Sequence, residues 1–504
     1  MRNPHSYDVL VVGAGPAGLT TAISAARHGA RVLVVERRPS TSTLPRATHV
    51  STRSMEILRG WGLADAVRDR AVRVLPATTT ARTMADPDPA VSPVGLPPLA
   101  EMLRRSPTWP ALTPQDQLEP LLAAHLREVG GEIVFDTELT GVAATDQGVR
   151  AVLGSGREVD ALFLVGADGP RSVVRRRLGI EVEELGVLGE YVLALVRADL
   201  GAALGPSWRY VLHVVEHPRA EGVVAPAGEG RFLYAQQWHP ERGERPSDWT
   251  PRRVAARFRL ATGVPTLQVE VLRVRPFTMA GHIAAAFRAG TGFLVGDAAH
   301  RMTPYGGMGM NTAIQDGHNL GWKLAWVCRG WAGEALLDSY QPERRPVGLR
   351  NALISVQRIE PSADRMAEEL GVAYRSPVLP DAAGGAGRRA PHAWVELHGR
   401  RLSTLDLFDG RLTVLAGRHD RSWCSAAARL AATGLPIGVH TVGGDLRDPV
   451  GELAERYALR PDEAVLVRPD GYLAWRGASA TALPSAVDTA LGRRRSRSWL
   501  RTAS

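Results

Sequence analysis

The side chains and backbone able to do chemistry lie in three short segments. The first, Gly13-Ala14-Gly15-Pro16-Ala17-Gly18, has G-x-G-x-x-G spacing. Gly13 permits a tight turn, Gly15 lets the backbone approach a pyrophosphate, and Gly18 lets a helix pack close to a strand. The second is Ala167-Asp168-Gly169, followed by Arg171 and Ser172. The third opens at Asp297, after the apolar Phe293-Leu294-Val295-Gly296, and ends in Gly306-Gly307-Met308-Gly309-Met310-Asn311. A carboxylate at a strand end can hold a polyol hydroxyl. A glycine turn leading into a helix offers free N–H groups to an electron-rich carbonyl or an anionic ring.

The elements around these segments give them meaning. Residues 7–12 (YDVLVV) form a near-continuous apolar run, as in a strand buried on both faces of a parallel sheet. A helical pattern follows from 16 to 28, with Gly29 at a C-cap position. A second strand, 31–35, finishes at Glu36, whose carboxylate can accept from both ribose hydroxyls and repels a 2′-phosphate. In this βαβ context the glycines specify an adenine dinucleotide. The strand–Asp168 and strand–Asp297 segments, with a helical pattern over 312–328 behind the second glycine turn, add sites for a polyol and a polar heterocycle. Those are the ribityl and isoalloxazine parts of FAD.

Composition excludes other classes. A length of 504 residues predicts about two to four domains. Hydrophobic content of 44% with 22% charged residues fits a folded enzyme rather than a disordered chain. No stretch approaches the roughly 18 uncharged apolar residues of a membrane span, and the N-terminus enters a strand pattern at once, so a cytoplasmic protein is expected. Cys328 and Cys424 are the only cysteines, too few for a disulfide framework, and no metal site is expected. The net charge of +9 is carried almost wholly by arginine, Lys323 being the only lysine. Spread along the chain, as in GC-rich genomes, these arginines predict no nucleic-acid or membrane partner. The Arg493-Arg494-Arg495-Ser496-Arg497 tail reads as a solvated helix end.

Taken together, the three motifs resemble those of the class A flavoprotein monooxygenases, the group of para-hydroxybenzoate hydroxylase and phenol hydroxylase. Within it the chain is most similar to actinomycete aromatic-polyketide hydroxylases such as aklavinone 11-hydroxylase. Pro45-Arg46-Ala47, Arg53-Ser54-Met55-Glu56, Gln115 with Glu119, Gln315-Asp316, Asn319 to Leu324, Ser339-Tyr340 and Glu343 to Pro346 share the likeness. The resemblance implies that Asp297 binds the ribityl chain and Glu36 the adenosine ribose, with Gln115 and Arg37 on other parts of FAD. Backbone of Gly307, Met308, Gly309, Met310 and Asn311 would meet the flavin pyrimidine edge. Asp168 would sit where FAD and the nicotinamide cofactor compete for space, and Arg46 near the flavin or that cofactor. Relatives often carry two prolines where this chain has Thr303-Pro304-Tyr305, and Gln or Leu in place of Met308. Catalytic side chains are not identified, with Arg46 and Tyr305 as the candidates.

The implied fold is α/β: a Rossmann-like FAD domain, an inserted, mostly antiparallel β substrate domain, and a C-terminal thioredoxin-like domain. The FAD domain takes 1–75, 101–185 and 276–387, the substrate domain 76–100 and 186–275, and the last domain 388–504. Within the insertion, strands are predicted at 191–196, 210–215, 231–235 and 268–272, and a helix at 251–262. Trp208, Tyr210, His213, Tyr234, Gln236 and Trp238 are pocket candidates by alternation, with core packing as their other reading. The proline-rich 87–98 stretch reads as a covering loop. From 412 the order is β-α-β-α-β-β-α, with strands at 412–416, 437–442, 464–467 and 472–475 and helices at 424–432, 450–457 and 481–491. Ala427 stands where a Cys-x-x-Cys partner of Cys424 would be, so disulfide chemistry is excluded and structural support or a homodimer contact is expected.

The function implied is hydroxylation of a polycyclic aromatic, polyketide-derived small molecule through a flavin C4a-hydroperoxide. O₂ is the co-substrate. With no second G-x-G-x-x-G unit, NADPH or NADH would bind transiently as reductant. Baeyer–Villiger oxygenation of a ketone on the same scaffold, or a non-catalytic FAD-binding protein, are the alternatives. A flavin halogenase would need Trp-x-Trp-x-Ile-Pro and a lysine relay, which this chain lacks.

Overall fold

A computed structural model describes residues 6–380, 384–408, 410–418 and 420–493. The arginine run from 494 onward lies outside them. The chain builds two eight-stranded sheets and a C-terminal unit.

The first sheet is centred on Ser6–Val12, which pairs in parallel with Val32–Val35 on one side and Glu158–Gly166 on the other. From Tyr7 to Val12 every residue is buried, which is why the strand reads as unbroken apolar sequence. Glu132–Val134 and Gly292–Leu294 extend the parallel array, and the hairpin of Leu139–Thr145 and Gly148–Leu153 continues it antiparallel. Helix Pro16–Arg27 leaves the first strand and packs on helix Gly309–Cys328. A Cβ at Gly317 would lie 2.7 Å from the Thr21 nitrogen, and one at Gly321 2.5 Å from the Thr21 oxygen, so this glycine pair sets how closely the two helices approach. The second helix starts three residues before the predicted 312, directly behind the glycine turn.

The second sheet is mostly antiparallel. Its frame is the pair Val182–Arg197 and Glu270–Ala284, longer than the predicted 191–196 and 268–272. Gly186, Gly189 and three register shifts interrupt the apolar alternation there and hide the strands' true length. The expected boundaries at 186 and 275 therefore fall inside continuous strands. Arg231–Gln237, Gly222–Pro226, Tyr210–Val215, Leu75–Ala81 and Ala90–Pro93 follow in spatial order, with Tyr210–Val215 parallel to Leu75–Ala81. Gly222–Pro226, bounded by glycine and proline, carries too weak a pattern to be predicted. Helix Pro251–Thr262, capped by Thr250 and ended by Gly263 at φ +76°, covers the outer face.

In the C-terminal unit a four-stranded sheet runs in the order Ile437–Thr441, Leu412–Ala416, Ala464–Val467, Leu473–Gly477, with the first pair parallel and the others antiparallel. Helix Arg421–Ala431 begins three residues before the predicted 424, because the Asp420 carboxylate accepts from the Ser422 N–H at 2.7 Å. Neither Cys328 nor Cys424 is in a disulfide. The hairpin turn at Arg468-Pro469-Asp470-Gly471 inserts into the first domain. There Arg468 grips Glu343 at 2.8 and 2.9 Å, and Arg53 donates to the Asp470 carbonyl at 2.7 Å.

Candidate flavin and substrate site

Between the two sheets lies a cavity of about 2310 Å³ that reaches from the first glycine turn to the second. At its sheet end Gly13 has φ +109°, and a Cβ there would sit 2.4 Å from the Ala167 carbonyl oxygen. A Cβ on Gly18 would sit 1.9 Å from the Gly13 oxygen. Gly15 is different: its nearest neighbour in that direction is Glu119 Oε1 at 4.0 Å, so its backbone faces open space at the helix N-terminus. Glu36 closes the second strand, accepting from the Ala14 N–H at 2.9 Å and the Arg38 N–H at 3.0 Å. Glu36 and Arg37 both line the cavity.

Gln115 opens helix Gln115–Glu128 and donates to Glu119 at 2.6 Å, while the Ser42 N–H donates to the other Glu119 oxygen. Burial pushes the Glu119 carboxyl up. Arg46 lines the cavity; burial, then Arg38 close by, lowers its pKa. Asp168 caps helix Val173–Arg177, accepting from Ser172 Oγ at 2.5 Å and the Val173 N–H at 2.6 Å. Asp297 opens into the cavity, and no described residue hydrogen bonds to its carboxylate. Enclosure pushes its pKa up, with His300, Arg301 and Arg46 opposing. An acid raised by desolvation yet exposed to the cavity is suited to neutral hydroxyl donors.

The second glycine turn is held from behind. Thr303 donates through Oγ1 to the Ser355 carbonyl at 2.5 Å, and its backbone N–H donates to Ser355 Oγ, 3.1 Å away. Gly306 and Gly307 have φ of +79° and +63°, which only glycine adopts without strain. Pro304, Tyr305, Gly307, Met308, Gly309 and Met310 line the cavity. Asn311 does not: its Nδ2 donates to the carbonyls of His49 and Gly307 at 2.9 and 3.0 Å, and its Oδ1 accepts from the Ser51 N–H. Gly18 is likewise spent on packing. The structure thus brings Gly13, Gly15, Pro16, Ala17, Glu36, Arg37, Arg46, Gln115, Asp168 and Asp297 to one cavity with the second turn.

The aromatic pocket candidates need correction. Tyr234, Trp208 and Trp238 belong to the hydrophobic cluster under helix Pro251–Thr262. His213 bonds Thr79 and the Trp208 carbonyl, Gln236 donates to the Glu221 carbonyl, and none of these nor Tyr210 reaches the main cavity. The opposite parity faces inward. Val223, Ala235 and Leu193 form one cross-strand row, and Leu233 and Ala225 a second, giving a broad aliphatic floor with two alanines at its centre. Alternation defines two faces without saying which is covered by a helix, and here the bulky aromatics take the covered one. His49, Arg365, Arg275 and Phe277 also line the cavity and carry no spacing signal.

The FAD binding domain family matches residues 6–353, and the aromatic-ring hydroxylase C-terminal family matches 383–494. The chain belongs to the class A FAD-dependent aromatic hydroxylases. This hydroxylase is 38% identical over 535 residues to aklavinone 12-hydroxylase of Streptomyces purpurascens, covering 95% of this chain and 97% of that one. It is 35% identical to tetracenomycin A2 monooxygenase-dioxygenase of Streptomyces glaucescens, over 96% and 97% of the two chains. A crystal structure of aklavinone-11 hydroxylase in ternary complex with FAD and aklavinone is similar with a TM-score of 0.88 at 36% identity, covering 98% of this chain and 100% of that one. The hydroxylase is a monooxygenase that uses FAD, NAD(P)H and O₂. The open face of Gly15 and the unpartnered Asp297 carboxylate fit that cofactor. Among the described residues no helix is long and apolar enough to cross a membrane.

Proposed function

We propose that this enzyme hydroxylates a polycyclic aromatic, polyketide-derived molecule laid on the aliphatic floor of the second sheet. The observation that supports it is the floor itself. Two rows of aliphatic side chains with Ala225 and Ala235 at the centre offer a flat apolar surface of fused-ring size. The named relatives, aklavinone and tetracenomycin oxygenases, act on molecules of that kind.

In this reading the Gly15–Ala17 backbone receives the pyrophosphate, Glu36 the ribose, Asp297 the ribityl hydroxyls, and the 307–310 backbone the pyrimidine edge. When bound, the flavin accepts hydride from NAD(P)H and activates O₂. The chain's own work is to orient the ring and exclude water. Leu193, Leu233 and Val223 press one face of the substrate, while Phe277, Met302 and Tyr305 border its path to the turn. The strand order of the C-terminal sheet supports a thioredoxin-like unit with a supporting role. A panel of hydroxylated anthraquinones and naphthacenequinones, followed by NAD(P)H loss and product mass, tests the activity. Products heavier by one oxygen are expected, and NAD(P)H consumption yielding only H₂O₂ with every member would overturn the proposal.

Two substitutions probe the assignment. Asp297→Ala should weaken FAD binding by about 10–100-fold, the worth of roughly 1.5–3 kcal/mol for hydrogen bonds to a charged acceptor, in a fluorescence titration of apoprotein. Ala235→Phe fills the floor and should raise KM for a four-ring substrate about tenfold or more while leaving FAD affinity unchanged. Equal KM values for the two enzymes would remove the floor from the substrate path.

A further inference from the structure

A phenolic ring is activated for hydroxylation by loss of its hydroxyl proton, and the cavity contains a group placed to take it. His49 is the one histidine among the described residues that line the cavity. Its ring packs on the second glycine turn: a Cβ at Gly307 would lie 3.5 Å from Nδ1, and the ring hydrogen bonds to the Gly307 backbone. That bond favours the protonated ring nitrogen, so it runs from a ring N–H to the carbonyl, and in the neutral imidazole the other nitrogen is an acceptor. No described residue is bonded to that second nitrogen. Asn311 fixes the geometry by donating to the carbonyls of both His49 and Gly307.

The charged group facing the imidazole is Arg365, from helix Arg365–Leu370, whose Nη2 reaches the Gly306 carbonyl at 3.4 Å. Burial, then this guanidinium, holds the ring below the usual histidine range, so it is neutral and able to accept near pH 7. Of the acids in the cavity, Asp168 is engaged by Ser172 and the Val173 N–H and Glu119 by Gln115 and Ser42, while Asp297 is assigned above to the ribityl hydroxyls.

We propose that His49, through the ring nitrogen turned away from Gly307, is the base that accepts the proton of the substrate's phenolic hydroxyl. This rests on the hydroxylation reading above. The O–H bond breaks, its electron pair enters the ring, and the ortho or para carbon gains the density needed to bond one oxygen atom of O₂. The displaced ring hydrogen leaves as a proton when aromaticity returns, and His49 gives its proton back to the phenolate oxygen. NAD(P)H supplies the electron pair with which the second oxygen atom leaves as water.

The test uses holoenzyme with His49→Gln, which keeps a donor for Gly307 but takes up no proton, and His49→Asn as a second variant should the first fold poorly. The first readout needs no turnover: the visible difference spectrum of bound 1,2-dihydroxyanthraquinone, titrated with pH. The bound hydroxyl should ionise at least one pH unit lower in wild type than in the variant. The second is the split of NAD(P)H between product and H₂O₂, which should fall about 10–100-fold toward H₂O₂ in the variant and lose its acid limb, with FAD affinity unchanged. A variant with the wild-type probe titration and wild-type partition overturns the assignment to His49. A wild type that hydroxylates no phenol in the panel overturns instead the reading on which it rests.

Discussion

Arg468→Met should remove about 3–5 kcal/mol of unfolding free energy, because it leaves two buried carboxylates facing each other without their principal cation. Arg468 is fully buried and pairs with both oxygens of Glu343 and both of Asp470. Lys323 adds a contact to Glu343 at 2.8 Å, as does Asn319. Burial alone would push the carboxyls of Glu343 and Asp470 up, but Arg468 together with Lys323 holds both below their ordinary range. Burial brings Lys323 down to about 8, with Glu343 opposing and Arg468 adding to the fall, so lysine alone is a poor replacement for the lost guanidinium. Equilibrium denaturation in urea measures the loss, and a change below about 1 kcal/mol would mean the network adds little beyond packing.

The same network has a definite pH sign. Carboxyls whose folded pKa lies below the unfolded value contribute stability that is present above about pH 4 and lost as pH falls toward the folded value, where the unfolded chain has already taken up its protons. The gap between wild type and R468M should therefore narrow in acid, as Glu343 and Asp470 protonate and Arg468 loses its partners. Asp297, Glu119 and Glu369, raised by burial, act in the opposite direction in both proteins and cancel from the difference.

How much of this was legible in the residues depends on the range over which each signal acts. Helix Pro251–Thr262 was placed to the residue because Thr250 and Gly263 mark its ends locally. The wall of the cavity made by Gly15, Glu36 and Asp297 was legible for the same reason: each ends or begins an element that its own neighbours define. The choice of sheet face was not, since Tyr234 and Ala235 alternate equally well on either side and only the distant helix decides. His49 and Arg365 are separated by more than three hundred positions and meet only across Gly306 and Gly307. Nor could the sequence reveal that Asn311 is spent on tying His49 to the turn, because its partners are backbone atoms that any residue would supply.

The largest effect on the cofactor is expected from Gly18→Val, which should give colourless protein that takes up no detectable FAD. A Cβ at this position would overlap the Gly13 oxygen at 1.9 Å and crowd the Ala167 side chain at 3.1 Å. The first of these is backbone, so relief requires the start of helix Pro16–Arg27 to move off the strand, taking with it the N–H groups that face the cavity. The melting temperature should fall with the flavin. Gly15→Ala separates the two consequences. Its Cβ meets nothing nearer than Glu119 at 4.0 Å, so the fold should keep its stability. The methyl group instead enters the space where the pyrophosphate approaches and should weaken FAD binding by about tenfold or more, in proportion to a displacement of a few tenths of an ångström at a site built on backbone contact. Loss of flavin with an unchanged melt in Gly15→Ala, beside loss of both in Gly18→Val, would show that one glycine serves the ligand and the other the packing. If Gly15→Ala binds FAD as the wild type does, the dinucleotide does not cross this turn.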